Sequence, residues 1–180
     1  IVATLLALWF SSGGAAPASP VLEARLVAPD VYAFIGSPGV ASQENRGFNS
    51  NAGFVVTAEG VVVIDALGTP SLGEAMVRAI RNVTDRPIKH VVITHYHADH
   101  FYGLSALKTA GAQIWAHRSA AAYLESGEGA ARLKQRQADL QPWVNEKTTL
   151  VAPDRRLDGD GSFSVGGVRF DLIFMGPAHA

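Results

Sequence analysis

Apolar residues come in short blocks separated by turn formers, and the spacing within each block predicts its element. Phe54 to Thr57, the turn Ala58-Glu59-Gly60 and Val61-Val62-Val63-Ile64-Asp65 predict a hairpin. Its second strand is apolar on both faces, as an interior strand is. Residues 31–35 alternate and are expected as an edge strand, whereas 38–51 are polar, rich in Gly, Asn and Ser, and are expected as a loop. Thr69-Pro70 opens a helix, with Thr as N-cap and Pro at the first helical position, and Leu72, Met76, Val77 and Ile80 form its buried stripe. A strand over 88–94 follows the turn at Asp85-Arg86-Pro87, then a helix near 101–110 that ends at Gly111, and a short strand over 113–116. Residues 119–126 and 129–141 are expected as outer helices, because Arg132, Lys134, Arg136 and Asp139 leave them polar. A last hairpin turns at Gly166-Gly167 and runs to Gly176-Pro177-Ala178-His179. Strands alternating with helices, with hairpins mixed in, predict α/β layering.

The 180 residues are 48% hydrophobic and 17% charged, which fits one globular domain with a sizeable core. A net charge of −1 with no basic stripe excludes nucleic acid as a partner. With no cysteine, disulfides, thiolate metal sites, cysteine nucleophiles and cysteine-linked lipid anchors are all excluded, so a metal here must be held by imidazole and carboxylate.

Residues 1–10 are an apolar run too short to span a bilayer, followed by Ser11-Ser12-Gly13-Gly14 and Ala16-Pro17-Ala18. This predicts a signal peptide over 1–18, lacking its charged n-region, with cleavage after Ala18. The mature chain is then expected to be periplasmic or secreted, without a membrane anchor, as a single domain over 19–180. A strand that stops at Gly-Pro-Ala-His is an odd end for a domain, so the domain is expected to be incomplete at its C-terminus.

The densest chemistry is Thr94-His95-Tyr96-His97-Ala98-Asp99-His100, directly after the apolar Val91-Val92-Ile93. Three imidazoles and a carboxylate at a strand end are poor core material and good metal-binding material. Asp99 could also cap the helix that follows, but capping does not account for three neighbouring histidines. Tyr96 should point away from the flanking histidines and pack. His90 has the opposite face parity to Val91 and Ile93 and is expected at the surface or rim. His117 is expected to cap the next helix or flank the cleft. No Gly-x-Ser-x-Gly motif supports a serine nucleophile.

His95-x-His97-x-Asp99-His100 after a buried strand resembles the signature of the metallo-β-lactamase superfamily. So do Asn51-Ala52-Gly53-Phe54-Val55-Val56, the strand ending in Asp65, and Gly176-x-x-His179, in the family's order. The resemblance implies an αββα sandwich, here its N-terminal half and the start of the second. It implies that His95, His97 and His179 bind a first metal, and Asp99 and His100 a second. A bridging Asp and a last His usually come from further downstream, beyond residue 180. Asp65 would stand behind the ligands and orient their loop.

The stretch from Asn45 to Phe54 and Arg132-Leu133-Lys134-Gln135-Arg136 also resemble periplasmic members that accompany sulfur-oxidation or quinoprotein systems.

The expected activity is that of an exported zinc-dependent hydrolase acting on a small-molecule substrate. Three imidazoles leave zinc an open position, and its water drops to a pKa near ~7. Asp99 is the candidate catalytic residue, steering the resulting hydroxide onto an ester, thioester, amide or lactam at a site of two zinc ions. Three alternatives stand beside it: a class B β-lactamase proper, an iron-dependent oxidoreductase on the same ligands, and a metal-binding protein without turnover.

Overall fold

In a computed structural model, which describes residues 19–176, the apolar blocks build one seven-stranded sheet and a separate hairpin. The expected signal peptide and His179 lie outside the described residues. Strands β1 (Arg25–Ala28), β2 (Val31–Phe34), β3 (Ala52–Val56) and β4 (Val61–Ile64) run antiparallel in sequence order. The sheet continues in parallel from β4 through β5 (Ile88–Val92), β6 (Gln113–His117) and β7 (Arg155–Leu157). Parallel neighbours need crossovers. These are α1 (Pro70–Val83), α2 (Ala98–Phe101) with α3 (Leu104–Thr109), and α4 (Ser119–Glu125) with α5 (Glu128–Asp139). The pair β8 (Gly161–Val165) and β9 (Val168–Leu172) forms the hairpin. The layering is α/β, as the order of blocks predicts.

The helix start at Thr69 is as expected: its hydroxyl accepts the Leu72 N–H at 3.2 Å, with Pro70 in the first turn. Leu72, Met76, Val77 and Ile80 are buried. Two glycines set how close α1 comes to the α2–α3 junction. A Cβ on Gly73 would lie 2.2 Å from the Gly103 carbonyl oxygen, and one on Gly103 would lie 2.0 Å from that of Ala66. Backbone therefore meets backbone just beyond the end of β4.

Alternation on β5 and β6 sends Val91 and Ile114 into the core. His90 and Trp115 take the other parity and meet the β8–β9 hairpin, whose Phe163 stacks on Trp115 at 4.7 Å and meets His90 edge-on at 4.9 Å. Trp115 Nε1 donates to His90 Nδ1 at 3.0 Å, which ties the neighbouring strands on that face.

Several expectations change. The strand at 31–35 is not an edge, because β1 pairs outside it. β1 is short, exposed throughout and carries no alternation, and β7 is a polar three-residue strand, so neither stood out. The helix expected over 101–110 is two helices, interrupted where the Gly103 N–H turns to the Leu67 carbonyl at 3.1 Å. His90 is half-buried beneath the hairpin rather than at the rim.

Two outcomes follow. Gly103→Ala should lower stability by about 1–3 kcal/mol or more, because the methyl has only backbone to displace; equilibrium denaturant unfolding measures this. For His90, burial comes first and the Lys89 charge second, and both hold it below the usual histidine value. The native ring thus stays neutral while the unfolded chain begins to take up a proton near pH ~6.5, so its contribution is full above that pH and falls as the pH drops. The slope of Tm against pH below ~6.5 should therefore be shallower in His90→Gln than in wild type. Equal slopes would refute this.

Candidate metal centre

β4 ends where the chain turns left-handed, at Asp65 (φ 62°) and again at Leu67 (φ 65°). Asp adopts this region readily, whereas Leu does so only when its surroundings hold it there. Leu67 is fully buried, and its carbonyl accepts from Gly103. The turn brings the Asp65 carboxylate, only 5% exposed, to the end of β5. Its Oδ1 accepts the Thr94 backbone N–H at 2.8 Å. Its Oδ2 accepts the Thr94 hydroxyl and lies against His100 Nδ1, both at 2.8 Å.

These contacts assign the ring protons. A carboxylate only accepts, so His100 carries a proton on Nδ1. The Thr94 hydroxyl gives its single proton to Asp65, so it accepts from His95 Nδ1 at 3.0 Å. In both histidines Nε2 is left as the lone-pair nitrogen, the atom through which an imidazole binds a metal. The donor set thus fits a metal of imidazole and carboxylate preference.

His95 lies at the centre of the cluster, with ring centroids 4.1 Å from His100 and 4.9 Å from His97. His97 is the N-cap residue of α2 and Asp99 falls in its first turn, so Asp99 lies near the helix start as expected but does not cap it, and no side-chain cap hydrogen bond is made there. Asp99 Oδ2 lies 3.8 Å from His100 Nε2. For His100, burial opposes the charged ring, but the hydrogen bond to Asp65 and the charges of Asp65 and Asp99 outweigh it and hold the ring above its ordinary value.

Among the described residues, no three His, Cys, Asp or Glu side chains converge closely enough to hold an ion. The set expected around the first metal includes His179, which lies outside them.

Tyr96 turns away as expected. Its hydroxyl donates to the His117 carbonyl at 2.8 Å, its ring lies parallel to Tyr123, and burial pushes it up to about 12. Of the two roles expected of His117 it takes the second: its ring stacks on Phe174 at 4.0 Å beside the cleft, whereas the N-cap of α4 is Arg118 and His117 Nδ1 meets only the Ser119 side-chain hydroxyl closely, at 2.8 Å. That cleft, of about 1320 Å³, runs from His95 and His97 between the sheet and β9, with Ile64, Val92 and Leu172 among its apolar walls.

Asn49 and Ser50 belong to the site as well, although the sequence marks them only as part of a polar loop and of the Asn45–Phe54 resemblance, with no role of their own. Asn49 Nδ2 donates to Asp99 Oδ2 at 3.0 Å, and the Ser50 hydroxyl donates to the Asp99 carbonyl. The one available signal was the run of Asn and Ser over 49–51.

Asp65→Asn keeps the shape but supplies one acceptor oxygen where three donors now converge. It should cost about 1–3 kcal/mol in denaturant unfolding. In an NMR titration it should also move His100 down, since the Asp65 charge is lost and burial, the largest influence on the ring, is then opposed chiefly by Asp99.

The sequence model of the metallo-beta-lactamase superfamily matches residues 45–180. Among solved structures, a Cronobacter sakazakii metallo-β-lactamase with a HARLDQ motif superposes with a TM-score of 0.56 at 20% identity, over 87% of this chain and 54% of that one. The stereoselective inverting sec-alkylsulfatase Pisa1 from Pseudomonas sp. gives 0.59 at 21%, over 84% and 27%. The metallo-β-lactamase MIM-1 from Novosphingobium pentaromativorans gives 0.52 at 27%, over 68% and 44%. The chain therefore spans about half the length of these lactamases and about a quarter of the alkylsulfatase. With the family match covering three quarters of its length and the same fold in these structures, the chain belongs to the metallo-β-lactamase superfamily.

Proposed function

We propose that this chain carries the ligand-bearing part of a zinc-dependent hydrolase. The observation behind the reading is the pair of imidazoles, His95 and His100, whose Nδ1 atoms are committed to Thr94 and Asp65 so that each offers Nε2. His95, His97 and His179 would hold one ion, and Asp99 and His100 a second. Bound zinc would supply Lewis acidity and bring the pKa of a water to about 7.

The protein's own part is positioning. Asp65 and Thr94 fix the ring planes of His100 and His95, and Asp99 beside His100 would orient the attacking water. The walls at Ile64, Val92 and Leu172 would take an apolar substrate body. His117, stacked on Phe174, would flank the substrate at the rim. An ester, thioester, amide or lactam fits this chemistry, and the alkylsulfatase among the structural neighbours adds sulfate esters to the range worth testing.

The apolar run at 1–10 with Ala16-Pro17-Ala18 supports export to the periplasm or beyond. Among the described residues, no helix is long and apolar enough to cross a membrane.

The test is a hydrolysis panel on the zinc-loaded full chain, its chelated form and the variants His95→Ala and His97→Ala. One or more of these bond classes should be cleaved by the loaded protein, with the rate falling to background on chelation and in both variants. Zinc-replete protein that cleaves none of them, or cleavage indifferent to chelation, would refute the proposal. Bound iron with substrate-dependent oxygen consumption would favour the oxidoreductase instead.

A further inference from the structure

The loop before β3 is built to deliver two side chains to Asp99. Asn45 closes its first turn, with Oδ1 accepting from the Ser42 and Gly47 backbone N–H groups at 2.9 and 3.0 Å and Nδ2 donating to the Val40 carbonyl at 2.9 Å. Ser37 N–H to the Phe48 carbonyl (2.9 Å) and Gly36 N–H to Asn51 Oδ1 (3.0 Å) clamp its second half beside β2. The loop then presses on the site through Gly68, where a Cβ would lie 2.6 Å from the Gly47 carbonyl oxygen and 3.2 Å from Asp99 Cα. Asn49 and Ser50 thus arrive on a fixed backbone, one at the Asp99 carboxylate and the other at its carbonyl.

We infer that Asn49 is a positioning residue for Asp99: its amide holds Oδ2, fixes the carboxylate plane and leaves Oδ1 for a metal ion. This rests on the reading of Asp99 as a ligand. Oδ2 is engaged by Asn49 and lies near His100, while Oδ1 makes no hydrogen bond among the described residues. The choice of side chain matters. A carboxamide donates without bearing charge, so it restrains the carboxylate and leaves its full attraction for a cation, where Lys or Arg would cancel it. Asn49 also carries a cost at this post, because its own Oδ1 is buried with no hydrogen-bond partner among the described residues. Its orientation is therefore set by Asp99 and not by its own satisfaction. Residues that orient a metal's ligands typically change affinity by ~10–100-fold when removed.

The experiment titrates the full chain with zinc against a competing chelator, and melts the chelated protein in parallel. It compares wild type with Asn49→Ala, Asn49→Asp and Asp99→Asn. Asn49→Ala should weaken the zinc equivalent that Asp99→Asn abolishes by about 10–100-fold. It should leave the other equivalent, and the melting temperature of the chelated protein, close to wild type. Asn49→Asp, nearly isosteric but without the donor, should lose at least as much. An Asn49→Ala protein that binds zinc as wild type does, beside an impaired Asp99→Asn, overturns the role of Asn49 alone. So does a loss of both equivalents together with a lowered melting temperature, which would make Asn49 a loop scaffold. Wild type that binds no zinc, or Asp99→Asn that matches wild type, would bring down the metal reading and this inference with it.

Discussion

The Asp65 carboxylate is nearly fully buried and accepts three hydrogen bonds, and each fixes a different part of the chain. The backbone of Thr94 ties it to the end of β5, the Thr94 hydroxyl passes its influence to His95, and His100 Nδ1 ties it to α2. A buried charge without partners would be among the most costly features a fold can contain, so the segment from 94 to 100 is not free to take another path. The dependence also runs the other way. Without the imidazole and hydroxyl, only the Thr94 backbone N–H would remain to the carboxylate among the hydrogen bonds of the described residues. The residues that resemble a metal site are thus held together first as a solution to burying Asp65, and the direction of their Nε2 atoms follows from that.

Reaching this arrangement requires an unusual backbone. Non-glycine residues in the left-handed region cost of order 1–3 kcal/mol each. Both Asp65 and Leu67 sit there within a single turn. Hydrogen bonds to a charged group return about 1.5–3 kcal/mol each, enough to offset such strain when three converge. The remaining help comes from absent side chains. Gly103 lets the α2–α3 junction reach the Ala66 and Leu67 carbonyls, and Gly68 lets the Asn45-closed loop reach Asp99. These glycines act through contact distance, since neither has positive φ. The break in the helix expected over 101–110 is a consequence of the same turn, because the Gly103 N–H is spent on Leu67.

What could be read from the sequence follows from how local each determinant is. The hairpin at 54–65, the Thr69-Pro70 helix start and the histidine cluster are each written in fewer than about fifteen consecutive residues, and short-range periodicity and capping chemistry suffice for them. β1 and β7 exist only because a neighbouring strand pairs with them, so their own residues carry no pattern. His90 shows the limit of parity alone. Alternation correctly set it opposite Val91, but whether that face meets water or a second layer is decided by Phe163, more than seventy residues away. Asn49 was illegible for the same reason: an Asn in a Gly- and Asn-rich loop reads as turn chemistry until the fold places Asp99 beside it.

The supports around the cluster match the kind of ligand each residue would be in the proposed site. An imidazole binds through a lone pair and has a proton to give at its far nitrogen, so the useful partner behind it is an acceptor. His100 has a carboxylate there and His95 has a hydroxyl already committed as a donor to that carboxylate. An anionic acceptor also makes the ring more electron-rich, and the raised His100 value carries the same sign. A carboxylate ligand has the opposite need: it accepts at both oxygens, so its support must be a donor, and a neutral one if its charge is to be kept. Asp99 has an amide on Oδ2 and a hydroxyl on its carbonyl. A chance cluster of polar residues would satisfy its hydrogen bonds in any combination. Here acceptors back His95 and His100 and neutral donors back Asp99, which is the pairing the proposed metal site would need.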